Sequence, residues 1–180
     1  MIAQAAVVTG EIDGVEQTLA DVMTDVEDRV LPDGMTFGYT GLGIVQLADD
    51  RPSDALTNFD RVLDIVGHDF EDGLQHPRIQ LLVVPYAVAL REQGRIEESR
   101  ELLESVIASV PAAEPDQLLL SAMTELATTL QVSGDRRGAR DAAERAARIQ
   151  SFLWDENFRY RIARLNVSLE LDQQKVELAL

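Results

Sequence analysis

Apolar and small residues recur along the chain at helical spacing and in one repeated order. Gly94 is followed after five residues by Ser99, then by Leu103 and Val106, and Pro111 closes the run. Gly134 is followed after five residues by Ala139, then by Ala143 and Ala146. Ala55, Phe59 and Val62 stand in the same spacing, as do Val15, Leu19 and Val22 after Gly10. Positions i, i+4 and i+7 share one face of an α-helix, so each set predicts an amphipathic helix. The leading residues at 15, 55, 99 and 139 lie 40, 44 and 40 residues apart. A recurring period of this size is the mark of a helical repeat.

A second helix precedes each of these. Tyr39, Leu42, Gly43 and Gln46 stand before Ala55; Val83, Tyr86, Ala87 and Leu90 before Ser99; Met123, Leu126, Ala127 and Leu130 before Ala139. Together with the Ala55–Phe59 pair, the first set resembles the tetratricopeptide pattern W-x2-L-G-x2-Y … A-x3-F, with Tyr39 in place of the Trp and Gln46 in place of the second aromatic. The other copies are degenerate versions in which Ala87 and Ala127 take the place of Gly43. The spacing exceeds the usual repeat. The segment from Gly67 to Ile79 supplies an extension and resembles the longer repeat of kinesin light chains and many bacterial regulators.

The resemblance implies an all-α fold: a right-handed α-solenoid of antiparallel helix pairs forming one domain over residues 1–180. Repeats are expected at about 1–31, 35–67, 77–111 and 115–151, with a C-terminal capping helix at about 153–176. The individual helices are placed at 2–9 and 12–30, 35–49 and 52–66, 77–92 and 96–110, and 115–132 and 136–150. Phe158, Ile162, Leu165 and Leu169 form the apolar stripe of the cap. Pro52, Pro77 and Pro115 are placed at helix starts, where a missing N–H costs nothing. Asp135 is placed as a cap, and Pro85 is expected to kink its helix. Close packing of two helices needs small side chains where they cross. Gly43, Ala87 and Ala127 are therefore expected to meet Ala55, Ser99 and Ala139.

Composition narrows the function. The absence of cysteine removes disulfides, zinc–thiolate sites and cysteine nucleophiles. The net charge of −16 opposes nucleic-acid binding. Residues 1–75 carry 16 acidic and 3 basic side chains, a net of −13, whereas residues 136–164 carry 8 arginines against 4 acids, a net of +4. Such ends suit solvated helix faces, or an acidic end that recruits a basic partner or the opposite end of a second copy. No apolar run has the length of a membrane helix and the N-terminus lacks the features of a signal peptide, so a cytoplasmic location is expected. The short first helix suits either a natural truncation or a fragment of a longer protein.

Catalytic patterns fail. Gly38, Gly41 and Gly43 do not match GxGxxG, and neither GxSxG nor HExxH occurs. His68 and His76 bracket Asp69, Glu71 and Asp72, but Gln80 stands where a calcium loop needs its closing Glu, and the segment reads as a solvated acidic loop. No enzyme activity, cofactor or metal is expected.

In tetratricopeptide arrays the first helix of each pair lines a concave groove. The family pattern places Phe37, Thr40, Ile44 and Leu47 there in the second pair, Leu81, Val84, Val88 and Arg91 in the third, and Ser121, Thr124, Thr128 and Gln131 in the fourth. The Lys/Asn/Arg carboxylate clamp of chaperone-binding members is missing. The expected function is a protein–protein interaction scaffold for a peptide or helix with apolar anchors and basic residues, with a homo-oligomer as a further possibility. The alternative is a sensory or regulatory segment of a larger bacterial transcription regulator. The run Gln80–Leu90 is apolar all round, which predicts a helix buried on every side, its groove face covered by a partner helix, a second copy or a further domain.

Overall fold

The structure, a computed structural model, describes residues 14–28, 32–67, 70, 76–111 and 115–155. Helices α1 (Val15–Asp28), α2 (Pro32–Ala48), α3 (Pro52–Val66), α4 (Pro77–Glu92), α5 (Ile96–Ser109) and α6 (Gln117–Ser133) follow in order. Residues 136–155 form a further helix, α7. Among the described residues there is no strand, and no helix is long and apolar enough to cross a membrane. The helix expected at 2–9 and the stripe from Phe158 to Leu169 lie outside the described residues, so the cap does too, apart from residues 153–155.

Local chemistry accounts for the helix ends. Pro52 and Pro77 occupy the first turns of α3 and α4, as expected. Pro115 does not start α6. Asp116 caps that helix instead, its carboxylate accepting the Leu119 N–H at 2.8 Å. Asp135 likewise accepts the Gly138 N–H at 2.9 Å. Gly94 and Gly134 have φ of +78° and +89°. They end α4 and α6 in the left-handed conformation that side chains resist, which explains why a glycine returns five residues before Ser99 and Ala139. Helix α4 runs through Pro85 without interruption.

One boundary differs from expectation. Residues 136–155 are helical throughout, so no turn separates a helix ending near 150 from one beginning near 153. The stretch Gln150–Trp154 contains neither Gly nor Pro, and nothing in it stops a helix.

Each helix packs on the next from α1 to α6, and the first helices α2, α4 and α6 also touch in sequence. Two apolar clusters form the bulk of the core. The first joins Tyr39, Leu42, Phe59, Val62 and Leu82, and the second joins Ile79, Val83, Leu103, Val106, Ala122 and Leu126. Helix α7 enters through Ala142 and Ala146, both buried. The result is a helical repeat-like all-α architecture with sequential packing.

Small residues sit where helices approach. A Cβ at Gly43 would run into the Phe59 ring. Ser99, fully buried, donates its hydroxyl to the Ala87 carbonyl at 2.8 Å across the α4–α5 crossing. The fourth pair is looser: Ala127 and Ala139 are only half-buried and share the wall of an open cleft. The two crossings should therefore respond differently to the same change. Ala87→Leu is expected to overpack its site and cost about 1–3 kcal/mol, whereas Ala127→Leu should cost clearly less. Urea midpoints of the two variants check this, and equal losses would contradict it.

Polar groups tie α1, α2 and α3 together. Gln46, at the position where the repeat pattern has an aromatic, accepts a hydrogen bond from the buried Asn58 at 2.7 Å and donates to Glu16 at 3.2 Å. Arg51 also holds Glu16, at 2.5 Å. This contact keeps the Glu16 carboxyl below, and the Arg51 guanidinium above, their ordinary values.

Candidate functional site

The three touching first helices carry all the groove residues expected from the sequence. Asp33 forms an ion pair with Arg78, which fastens the start of α2 to the start of α4. One turn further along, Phe37 and Leu81 occupy equivalent places, 44 residues apart, and both face solvent at 64% and 59% exposure. At the other end of α4, Arg91 binds Glu125 of α6 at 2.6 Å, with both side chains about 85% covered. Burial raises the Glu125 carboxyl above its ordinary value, while Arg91 opposes the rise. Among the described residues, these two ion pairs hold the first helices side by side.

Between those clasps the surface is mostly apolar. Ile44, Leu47, Val84 and Val88 are half-buried, so each still presents part of its side chain. The expectation that α4 is buried on every side holds only for Ile79, Leu82, Val83, Ala87, Ala89 and Leu90, which neighbouring helices bury. Leu81 remains open. The fourth pair contributes a more polar surface, with Ser121 half-buried and Thr124, Thr128 and Gln131 exposed. Its threonines are partly committed: Thr124 donates to the Leu120 carbonyl at 2.8 Å and Thr128 to the Thr124 carbonyl at 3.2 Å. Thr40 does the same to Thr36 at 2.8 Å. These hydroxyls keep acceptor capacity for a ligand, but their protons are engaged within their own helices.

Two clefts extend this surface. One, of about 570 Å³, brings Val84, Ser121 and Thr124 together with Leu120, Ala143 and Ala147. The other, of about 760 Å³, brings Thr124, Thr128 and Gln131 together with Arg136, Ala139 and Arg140. The α7 residues were missed from the sequence, because the family pattern assigns second helices to the outer face. The available signal was an alanine at 143, where the equivalent position forty residues earlier carries Leu103. Phe37, Thr40, Ile44, Leu47, Leu81, Val88 and Arg91 line neither cleft.

Among the described residues, no group of three or more His, Cys, Asp or Glu side chains could hold a metal ion. His76 acts as the cap of α4, accepting the Arg78 N–H at 3.3 Å. In comparison with known proteins, no family model, no curated protein and no solved structure matches the chain.

Proposed function

We propose that this protein is a non-enzymatic interaction module, a right-handed tetratricopeptide-like array whose first helices form a groove for a peptide or helix. The observation that carries this reading is the exposure of Phe37 and Leu81, each one turn beyond the Asp33–Arg78 pair that joins their helices. An exposed aromatic and an exposed leucine in equivalent places form an apolar patch suited to anchoring a partner. Ile44, Val84 and Val88 prolong it along the helices. The net charge of −13 over residues 1–75 favours a ligand with basic residues beside its apolar anchors and speeds its approach at low salt.

A labelled helical peptide with leucines at i, i+3, i+4 and i+7 and lysines on its flanks tests the reading by fluorescence anisotropy. Binding is expected, and it should weaken as salt rises. Leu81→Glu should weaken it on the order of ten-fold or more with the helical circular dichroism unchanged, because the side chain replaced is already exposed. Equal affinity of the wild type and Leu81→Glu for this peptide, or no binding to either, would remove the groove as the working surface.

A further inference from the structure

Helix α7 has two different faces. Ala142 and Ala146 are buried against α6, with Ile149 and Leu153 half-buried on the same side. Arg136, Arg140, Ala143, Ala147, Gln150 and Trp154 are all exposed and recur at alternating spacings of four and three, one continuous stripe along the helix. At its end Trp154, the chain's one tryptophan, is 74% exposed, beside Phe152 at 48%. Forty residues earlier, where α6 packs over α5, the stripe's counterpart Leu103 is fully buried and Ile107 half-buried. On α7 no described helix covers the same face.

We infer that this face binds a second copy of the chain about a two-fold axis near Ala147. Three observations choose that occupant. First, the shape is self-complementary. In an antiparallel crossing centred on Ala147, Trp154 falls opposite the partner's Arg140, in the cleft walled by the partner's Arg136, Ala139 and Ala143. The cleft of about 760 Å³ has ample room for an indole, and a guanidinium over its ring is favourable. The small side chains of Ala143 and Ala147 let the two helices approach closely at the axis. Two-fold pairing of one patch with itself is also the commonest symmetry of soluble oligomers.

Second, charge restricts where two copies can meet. The chain carries −16 overall, but residues 136–155 hold five arginines against Asp141, Glu144 and Asp155. Pairing through α7 keeps the strongly acidic first halves out of the contact, where like charges would oppose association. Third, α7 runs straight past the start of α6. Gln150 and Gln117 line the same cleft, and the helix continues unbroken through residues 151–155. Phe152 and Trp154 are thus carried beyond their own α6, where the partner's cleft can receive them.

This inference shares the α6–α7 clefts, with Thr124, Thr128 and Gln131, with the proposed groove, but Phe37 and Leu81 take no part in it, so a change at Leu81 separates the two. The full chain should sediment as a species of twice 19.9 kDa that dissociates on dilution. Its tryptophan emission should shift to the red as it does so, since Trp154 passes from a covered to an open site. Ala147→Glu and Trp154→Ser should each return the 19.9 kDa species with an unchanged helical spectrum, whereas Leu81→Glu should leave the dimer intact. A single-copy mass at every concentration overturns the inference, as does a dimer that survives Ala147→Glu. A monomer whose tryptophan emission is already shielded also overturns it, since the chain's own residues would then cover the face.

Discussion

Replacing Phe59 with alanine is expected to cost about 3–5 kcal/mol, the range for removing a large buried aromatic side chain. The ring is fully buried. It fills the space left by Gly43 on the facing helix, where even a Cβ would collide with it. Its centroid lies 6.2 Å from that of Tyr86, so it also joins the second pair to the third. Tyr86 in turn stands 4.9 Å from Phe70, edge to face, and donates its hydroxyl to Asp60 at 2.7 Å. Removing Phe59 therefore opens a cavity on both sides. A loss of this size is a large part of the about 5–15 kcal/mol that holds a typical domain together. Urea unfolding followed by circular dichroism measures it, and a loss below 1 kcal/mol would show that the core can close over the gap. Gly43→Ala gives a second reading of the contact. Alone it should destabilise by crowding the ring, but in the Phe59→Ala background the added methyl has room and should be tolerated. The two changes should therefore be markedly non-additive.

The helix limits were legible where the chain carries its own punctuation. The spans 52–66 and 77–92 coincide with α3 and α4, because Pro52 and Pro77 open them and Gly67 and Gly94 allow the left-handed turns that follow. Ser99 was legible as a crossing residue because a small side chain at a repeated position has a steric meaning independent of its partner. The polar contacts were not legible in this way. Gln46 departs from the repeat pattern, and its hydrogen bonds reach Asn58 on α3 and Glu16 on α1. Nothing in the neighbouring sequence announces partners so far along the chain. The same holds for the Asp33–Arg78 and Arg91–Glu125 pairs, which join the first helices and so position the candidate groove. The groove residues themselves followed from the resemblance to the repeat family, but a family pattern does not reveal which of them neighbouring helices cover. It therefore could not separate the exposed Phe37 and Leu81 from the half-buried Val84 and Val88.

Leu103→Ala should be the most disruptive change in the second half of the chain, at about 2–5 kcal/mol. Leu103 is fully buried on α5, within a cluster that takes Ile79 and Val83 from α4 and Ala122 and Leu126 from α6. It thus supports both the pairing of α4 with α5 and the stacking of the third pair on the fourth. In an array where each repeat leans on its neighbours, stability is divided between the repeats and the interfaces that join them. Removing a side chain shared by both should loosen the fourth pair from the rest, as well as weaken the third. Two outcomes are then expected together in urea: a lower midpoint, and a shallower transition as the array stops unfolding as one unit. The register gives an internal control. Ala143 occupies the equivalent place on α7 but is exposed and roofed by no described helix, so Ala143→Ser should change the midpoint by no more than about 0.5 kcal/mol. If Leu103→Ala and Ala143→Ser behaved alike, positions 40 residues apart would not differ by the stacking of one pair on the next.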